Sequence, residues 1–168
     1  MKIVELYPSR KFNGTEGDVF SSLFNKKIHL EAKRLEEGYT RRCAEFFANI
    51  PEEMVRKIIR YTADYVLALI DDYGEDFYAD EDFDFDENTP FGRVMQYIEP
   101  IVLSVMDDKV FAVEELKPAF RLTLSFTPIA DEEIEWTVTE DEILYVGEAA
   151  NTSPWDKGTF KKGWNFAE

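Results

Sequence analysis

The sequence predicts an α+β fold: a helical pair packed on a C-terminal antiparallel sheet, with an N-terminal strand or hairpin. Three patterns carry that expectation. Apolar residues recur at helical spacing between Tyr39 and Ile70. Polar and apolar residues alternate from Lys27 to Lys33. Four strand-like segments then follow one another closely between Ile101 and Gly147. The 168 residues fit one domain, 1–168, with an acidic loop at 71–90 inside it.

Each element follows from local chemistry. Residues 2–7 (KIVELY) read as a short strand closed by Pro8, and 9–18 (SRKFNGTEGD) as a turn-rich stretch. Ile28, Leu30 and Ala32 alternate with Lys27, His29, Glu31 and Lys33, the period of a half-buried strand. Cys43, Phe46, Phe47 and Ile50 then fall on one helical face. Pro51 breaks that helix, because the residue before proline avoids the helical region. Glu52 and Glu53 suit the positive end of a new helix. Its apolar stripe runs from Met54 through Ile58, Thr62, Tyr65 and Val66 to Ile70, and Gly74 is the expected terminator.

Phe91–Ile98 reads as a short helix with Thr89 as cap and Pro90 at its first position, stopped by Pro100. The expected strands are 101–106, 121–126, 134–138 and 142–147, linked closely enough for an antiparallel meander. Residues 110–118 are compatible with a strand or a helical turn. The tail is irregular, and the spacing of Trp155, Phe160, Trp164 and Phe166 predicts that it packs back on the sheet.

Charge is unevenly placed. The net charge is −16, yet residues 1–70 carry +2 and residues 71–168 carry −18. Such a field repels nucleic-acid phosphates and anionic membranes and attracts basic protein surfaces. Between Asp71 and Glu87 lie ten acids, no basic residue and five aromatics. Disordered acidic runs are poor in aromatics, so the rings can fasten this stretch while the acids face outward. Two readings stand: a solvated linker, or a recognition surface. In an extended DFDFDE segment, alternate carboxylates would repeat every ~6.8 Å, on the scale of nucleic-acid phosphates.

Catalytic and metal motifs are missing from the sequence. It has no GxSxG, GxGxxG or P-loop pattern. His29 is expected on the polar face of a strand, and Cys43 as a small buried hydrophobe. Asp82, Asp84 and Asp86 match the start of a calcium loop, but Glu87 stands where glycine is needed and Arg93 where a bidentate glutamate belongs. One cysteine and one histidine leave little for zinc. The sequence therefore predicts no enzyme, no cofactor and no metal site. No apolar run near the start has signal-peptide length, and the longest, Val66–Ile70, is far short of the ~20 residues of a membrane span. A cytoplasmic protein without membrane contact is expected.

The layout resembles a known family. A strand-like LFNKKIHLEAK precedes the helical pair around CAEFFANIPEEMVRKIIRYTADYVLALID. An acidic loop follows, then a meander containing ADEEIEWTV and ILYVG. In order, size and charge this is similar to the small acidic immunity proteins encoded beside bacterial polymorphic and contact-dependent inhibition toxins. The resemblance implies a binding protein that occludes a cognate toxin with a basic surface, a nuclease among the possibilities. The residues assigned to partner binding are Asp80, Glu81, Asp82, Phe83, Asp84, Phe85, Asp86 and Glu87, the carboxylates for charge and the rings as anchors. The alternatives are a general acidic interaction module and an enzyme with an unrecognised carboxylate or metal site.

Overall fold

A computed structural model of the protein describes residues 2–33, 36–77, 83–107 and 116–168. It contains β1 (Val4–Pro8), β2 (Gly14–Ser21), β3 (Lys26–Lys33), α1 (Glu37–Ala48), α2 (Glu52–Tyr73), β4 (Ile98–Val105), β5 (Ala119–Phe126), β6 (Glu133–Thr139) and β7 (Ile143–Glu148). The strands form one seven-stranded sheet in chain order. Among the described strands only β3 and β4 pair in parallel. A parallel pair needs a long crossover, and the helical pair lies within it. The α+β class holds, and the N-terminal strands join the C-terminal meander in a continuous sheet.

The turn-rich reading of 9–18 is corrected. β2 begins at Gly14 and pairs with both β1 and β3. Two glycines and an aspartate lower the strand propensity of GTEGDVFS. Gly17 is needed there nonetheless: a Cβ would collide with the Glu5 carbonyl oxygen and the Leu6 side chain. The segment at Phe91–Tyr97 is a 3-10 helix, and Thr89 does not cap it. The Thr89 hydroxyl instead accepts from the Asp86 N–H at 2.9 Å. Pro100 lies inside β4, where the register shifts between Pro100 and Val102, as expected of proline in a sheet. Residues 110–115 of the ambiguous 110–118 stretch lie outside the described residues.

The helices cover one face of the sheet. Phe46 and Phe47 of α1 pack on Phe120 with ring centroids 5.7 and 5.0 Å apart. α2 buries Ile58, Thr62, Ala63, Tyr65, Val66 and Leu69, close to the predicted stripe. Tyr65 donates to a Glu132 carboxylate oxygen at 2.7 Å, and burial pushes its phenol well up.

The tail covers the other face across β4–β7. Trp155 Nε1 donates to the Met106 carbonyl at 2.8 Å, and Phe160 lies 5.5 Å from the Tyr145 ring. Under this layer Glu135 is 2% exposed. Its carboxylate accepts from the Asn151 N–H, the Thr152 N–H and the Thr152 hydroxyl at 2.8–3.0 Å. Arg121 Nε lies 3.8 Å from the same carboxylate, and Arg121 Nη1 donates to the Thr152 carbonyl. The tail then rounds the β7 edge. Phe166 N–H donates to the Val146 carbonyl, Asn165 Oδ1 accepts from the Val146 N–H, and Asn165 Nδ2 donates to the Leu144 carbonyl. A side-chain amide thus continues the ladder, and the edge is closed to further strands. Trp164 and Phe166 end against Tyr65 of α2.

Breaking one partner of a buried ion pair costs about 3–5 kcal/mol. Glu135→Ala is therefore expected to lower stability toward the lower end of that range, because Arg121 keeps some solvent contact. Urea unfolding measures the loss, and amide exchange of residues 149–159 is expected to rise first. A change within error would show that Glu135 does not fasten the tail.

Candidate functional site

The aromatic residues of the acidic stretch are part of the fold. Phe83 stacks edge-on to Tyr97 at 4.8 Å and to Phe126 at 5.7 Å, and touches Phe77 at 5.5 Å. Phe85 is 7% exposed and meets Tyr97 at 6.4 Å. Asp84, Asp86 and Glu87 face solvent. The expected alternation of inward rings and outward acids is present over 83–86. The rings pack on the protein's own core and fix the backbone that carries the acids. Asp86 also builds its own turn, accepting from the Asn88 N–H at 2.8 Å and from the Thr89 hydroxyl at 3.3 Å. Asp80, Glu81 and Asp82 lie outside the described residues.

More exposed acids stand next to this segment in the chain. Asp71 and Asp72 occupy the last turn of α2, which has no basic residue, and Asp76 follows in a 3-10 turn. Acids at a helix C-terminus face the negative end of the macrodipole and are unfavourable. Elsewhere α2 balances its charges, with Glu52–Arg56, Glu53–Lys57 and Arg60–Asp64 at i,i+4. Among the described residues, no ion pair involves Asp71, Asp72, Asp76, Asp84, Asp86 or Glu87.

A second grouping lies on the sheet face that the tail leaves uncovered. Glu16 on β2 stands directly opposite Glu31 on β3, and Asp18 opposite His29. His29 Nε2 reaches Glu16 Oε1 at 3.2 Å and Glu31 Oε1 at 3.7 Å. Glu16 is 5% exposed, and its Oε2 accepts from the Ser9 hydroxyl at 2.9 Å. A cleft of about 700 Å3 opens beside it, walled by Tyr7, Arg10 and Lys11. The Tyr7 phenol is raised above its ordinary value, by desolvation and then by the Asp18 and Glu16 carboxylates. Among the described residues this trio is the one His/Cys/Asp/Glu group compact enough to hold a metal ion. Sequence reasoning missed it because Glu16 fell in the stretch read as turns. The signal was the alternation of Glu16, Asp18 and Phe20, which matches that of His29 and Glu31.

Cys43 and His29 are on different layers. Cys43 is fully buried on α1, with its sulfur 3.5 Å from the Ala119 N–H. Burial pushes the thiol up, against smaller opposing effects from Ala119, Tyr39 and Arg42. No described helix is long and apolar enough to cross a membrane.

Two measurements check these assignments. The Cys43 thiol is expected to resist a disulfide reagent in the native protein and to react fully in urea; fast native reaction would contradict its burial. Asp71→Asn and Asp72→Asn are each expected to stabilise the protein by about 0.3–1 kcal/mol at low salt, less as salt rises. Destabilisation would mean that these acids have structural partners. In comparison with known proteins, no family model matches the chain, and no curated protein and no solved structure matches it.

Proposed function

We propose that the protein is a cytoplasmic immunity-type inhibitor that binds a cognate toxin domain with a basic surface and neutralises it by stoichiometric occlusion. The supporting observation is that Asp71, Asp72, Asp76, Asp84, Asp86 and Glu87 are exposed and, among the described residues, have no ion pair, with Asp84 and Asp86 carried on a segment whose rings are packed. Asp71 and Asp72 sit where a helix disfavours them, and Asp84 and Glu87 have no cation beside them among the described residues. Acids held at a stability cost on a fixed platform suit recognition better than solvation. Preorganisation lowers the ordering cost of binding, and a concentrated negative field steers a basic partner. The same field argues against direct nucleic-acid binding. A nuclease is the toxin class such a row suits, because its cleft already accepts regularly spaced phosphates.

In this reading Asp84, Asp86 and Glu87, with Asp80, Glu81 and Asp82, supply the charge. Phe83 and Phe85 hold the backbone. The test is titration against the polypeptide encoded by the adjacent gene, with toxicity and binding measured together. A 1:1 complex that abolishes toxicity is expected. Asp84→Lys with Glu87→Lys is expected to slow association by about tenfold or more at low salt, with little change in dissociation. An adjacent product that is neither toxic nor bound would overturn the proposal. Equal, salt-sensitive binding to unrelated basic proteins would instead identify a general acidic interaction module.

A further inference from the structure

The grouping on the outer face of β2 and β3 has the dimensions of a metal site. Ligand bonds to zinc are about 2.0–2.2 Å for imidazole nitrogen and carboxylate oxygen, so tetrahedral geometry separates neighbouring ligand atoms by roughly 3.4 Å. The separations from His29 Nε2 are 3.2 Å to Glu16 Oε1 and 3.7 Å to Glu31 Oε1. All three candidate ligand atoms lie within 4.8 Å of one another. An ion can enter between them with small side-chain movements.

The carboxylates around His29 favour a cation, while Arg10 and Lys11 stand in the wall of the adjoining cleft. Glu16 and Glu31 are directly opposed across the β2–β3 ladder, an arrangement that costs stability when both are charged. Asp18 adds a third carboxylate opposite His29. Glu16 is more than nine-tenths buried, and the Ser9 hydroxyl holds its second oxygen. Outer hydrogen bonds of this kind orient a ligating carboxylate and leave the other oxygen for the metal.

We infer that Glu16, His29 and Glu31 form a zinc(II) site, with further coordination supplied by water from the adjoining cleft. The donor set favours a transition metal such as zinc over the hard alkaline-earth ions. Calcium and magnesium favour all-oxygen shells, whereas zinc accepts imidazole with carboxylates in a four-coordinate arrangement. The inference is independent of the proposed inhibitor role, since its residues lie on β2 and β3 and none belongs to the 71–87 stretch.

The experiment uses the full-length protein, stripped by chelator and titrated with zinc chloride at moderate salt to screen diffuse binding by surface acids. One ion per chain is expected, together with a rise in melting temperature. His29→Gln and Glu31→Gln alter partly exposed side chains, and circular dichroism checks that each variant folds. Each is expected to weaken zinc binding by at least about tenfold, and Ser9→Ala by about tenfold. Asp84→Asn is expected to bind as the unaltered protein does. Cobalt(II) is expected to give the strong visible absorption of a tetrahedral complex, lost in His29→Gln. Equal zinc affinity in the unaltered protein and His29→Gln, or no tetrahedral cobalt spectrum, would overturn the assignment.

Discussion

Glu135 lies near the middle of β6, almost without solvent, and its carboxylate gathers the Asn151–Thr152 backbone, the Thr152 hydroxyl and Arg121. Hydrogen bonds to a charged group are each worth about 1.5–3 kcal/mol, and an unpaired buried carboxylate would be far more costly than its loss. The ion is therefore tolerable only when the tail is in place. That requirement couples the tail to the sheet. Once residues 151–152 are held, Trp155 and Phe160 cover the outer face, and Asn165 and Phe166 close the β7 edge. The last rings then reach α2 from around the sheet. A seven-stranded sheet with one helical layer thus gains a partial second layer without a second pair of helices.

The covering is incomplete, and the uncovered part has its own character. The tail shields β4–β7 and does not reach the outer face of β1–β3, where Tyr7, Glu16, Asp18, His29 and Glu31 meet. The other exposed feature is formed by Asp71 and Asp72 in the last turn of α2, with Asp76, Asp84, Asp86 and Glu87 beyond it. One feature is a compact ligand-sized grouping and the other a broad charged surface, so they suit different kinds of ligand. β1 is the remaining sheet edge. It is five residues long, carries Glu5 and ends in Pro8, all of which discourage edge-to-edge association. A groove of about 940 Å3 runs beside it toward Arg41, Glu45 and Asn49 of α1.

Charge and packing are separated along the chain to a degree that bears on both features. The near-neutral first 70 residues supply both helices' apolar faces, while the strongly acidic remainder supplies most of the sheet. Several acids of the second part have fixed partners. Glu132 takes the Tyr65 hydroxyl, Glu135 takes the tail, and Asp141 and Glu148 pair with Lys117 and Lys161. Asp86 takes the Asn88 N–H and the Thr89 hydroxyl of its own turn, and Asp71, Asp72, Asp76, Asp84 and Glu87 have no ion pair among the described residues.

Local periodicity alone determined the helical pair, the break at Pro51, the end of α2 at Gly74 and strands β3 and β5–β7, because spacing and proline or glycine stereochemistry act within a few residues. It also determined that rings and acids face opposite ways in the segment around Phe83 and Phe85. Tertiary structure decided the rest. β2 is a strand because β1 and β3 flank it, despite glycines that weaken its propensity and are required by backbone approach. Phe83 and Phe85 face inward because Tyr97 and Phe126 offer rings to pack on. Glu16 meets His29 only through the β2–β3 register, and Glu135 is satisfied only by a tail sixteen residues further on. Those pairings depend on contacts between segments distant in the chain or on a register that composition does not encode, which is why no local pattern announces them.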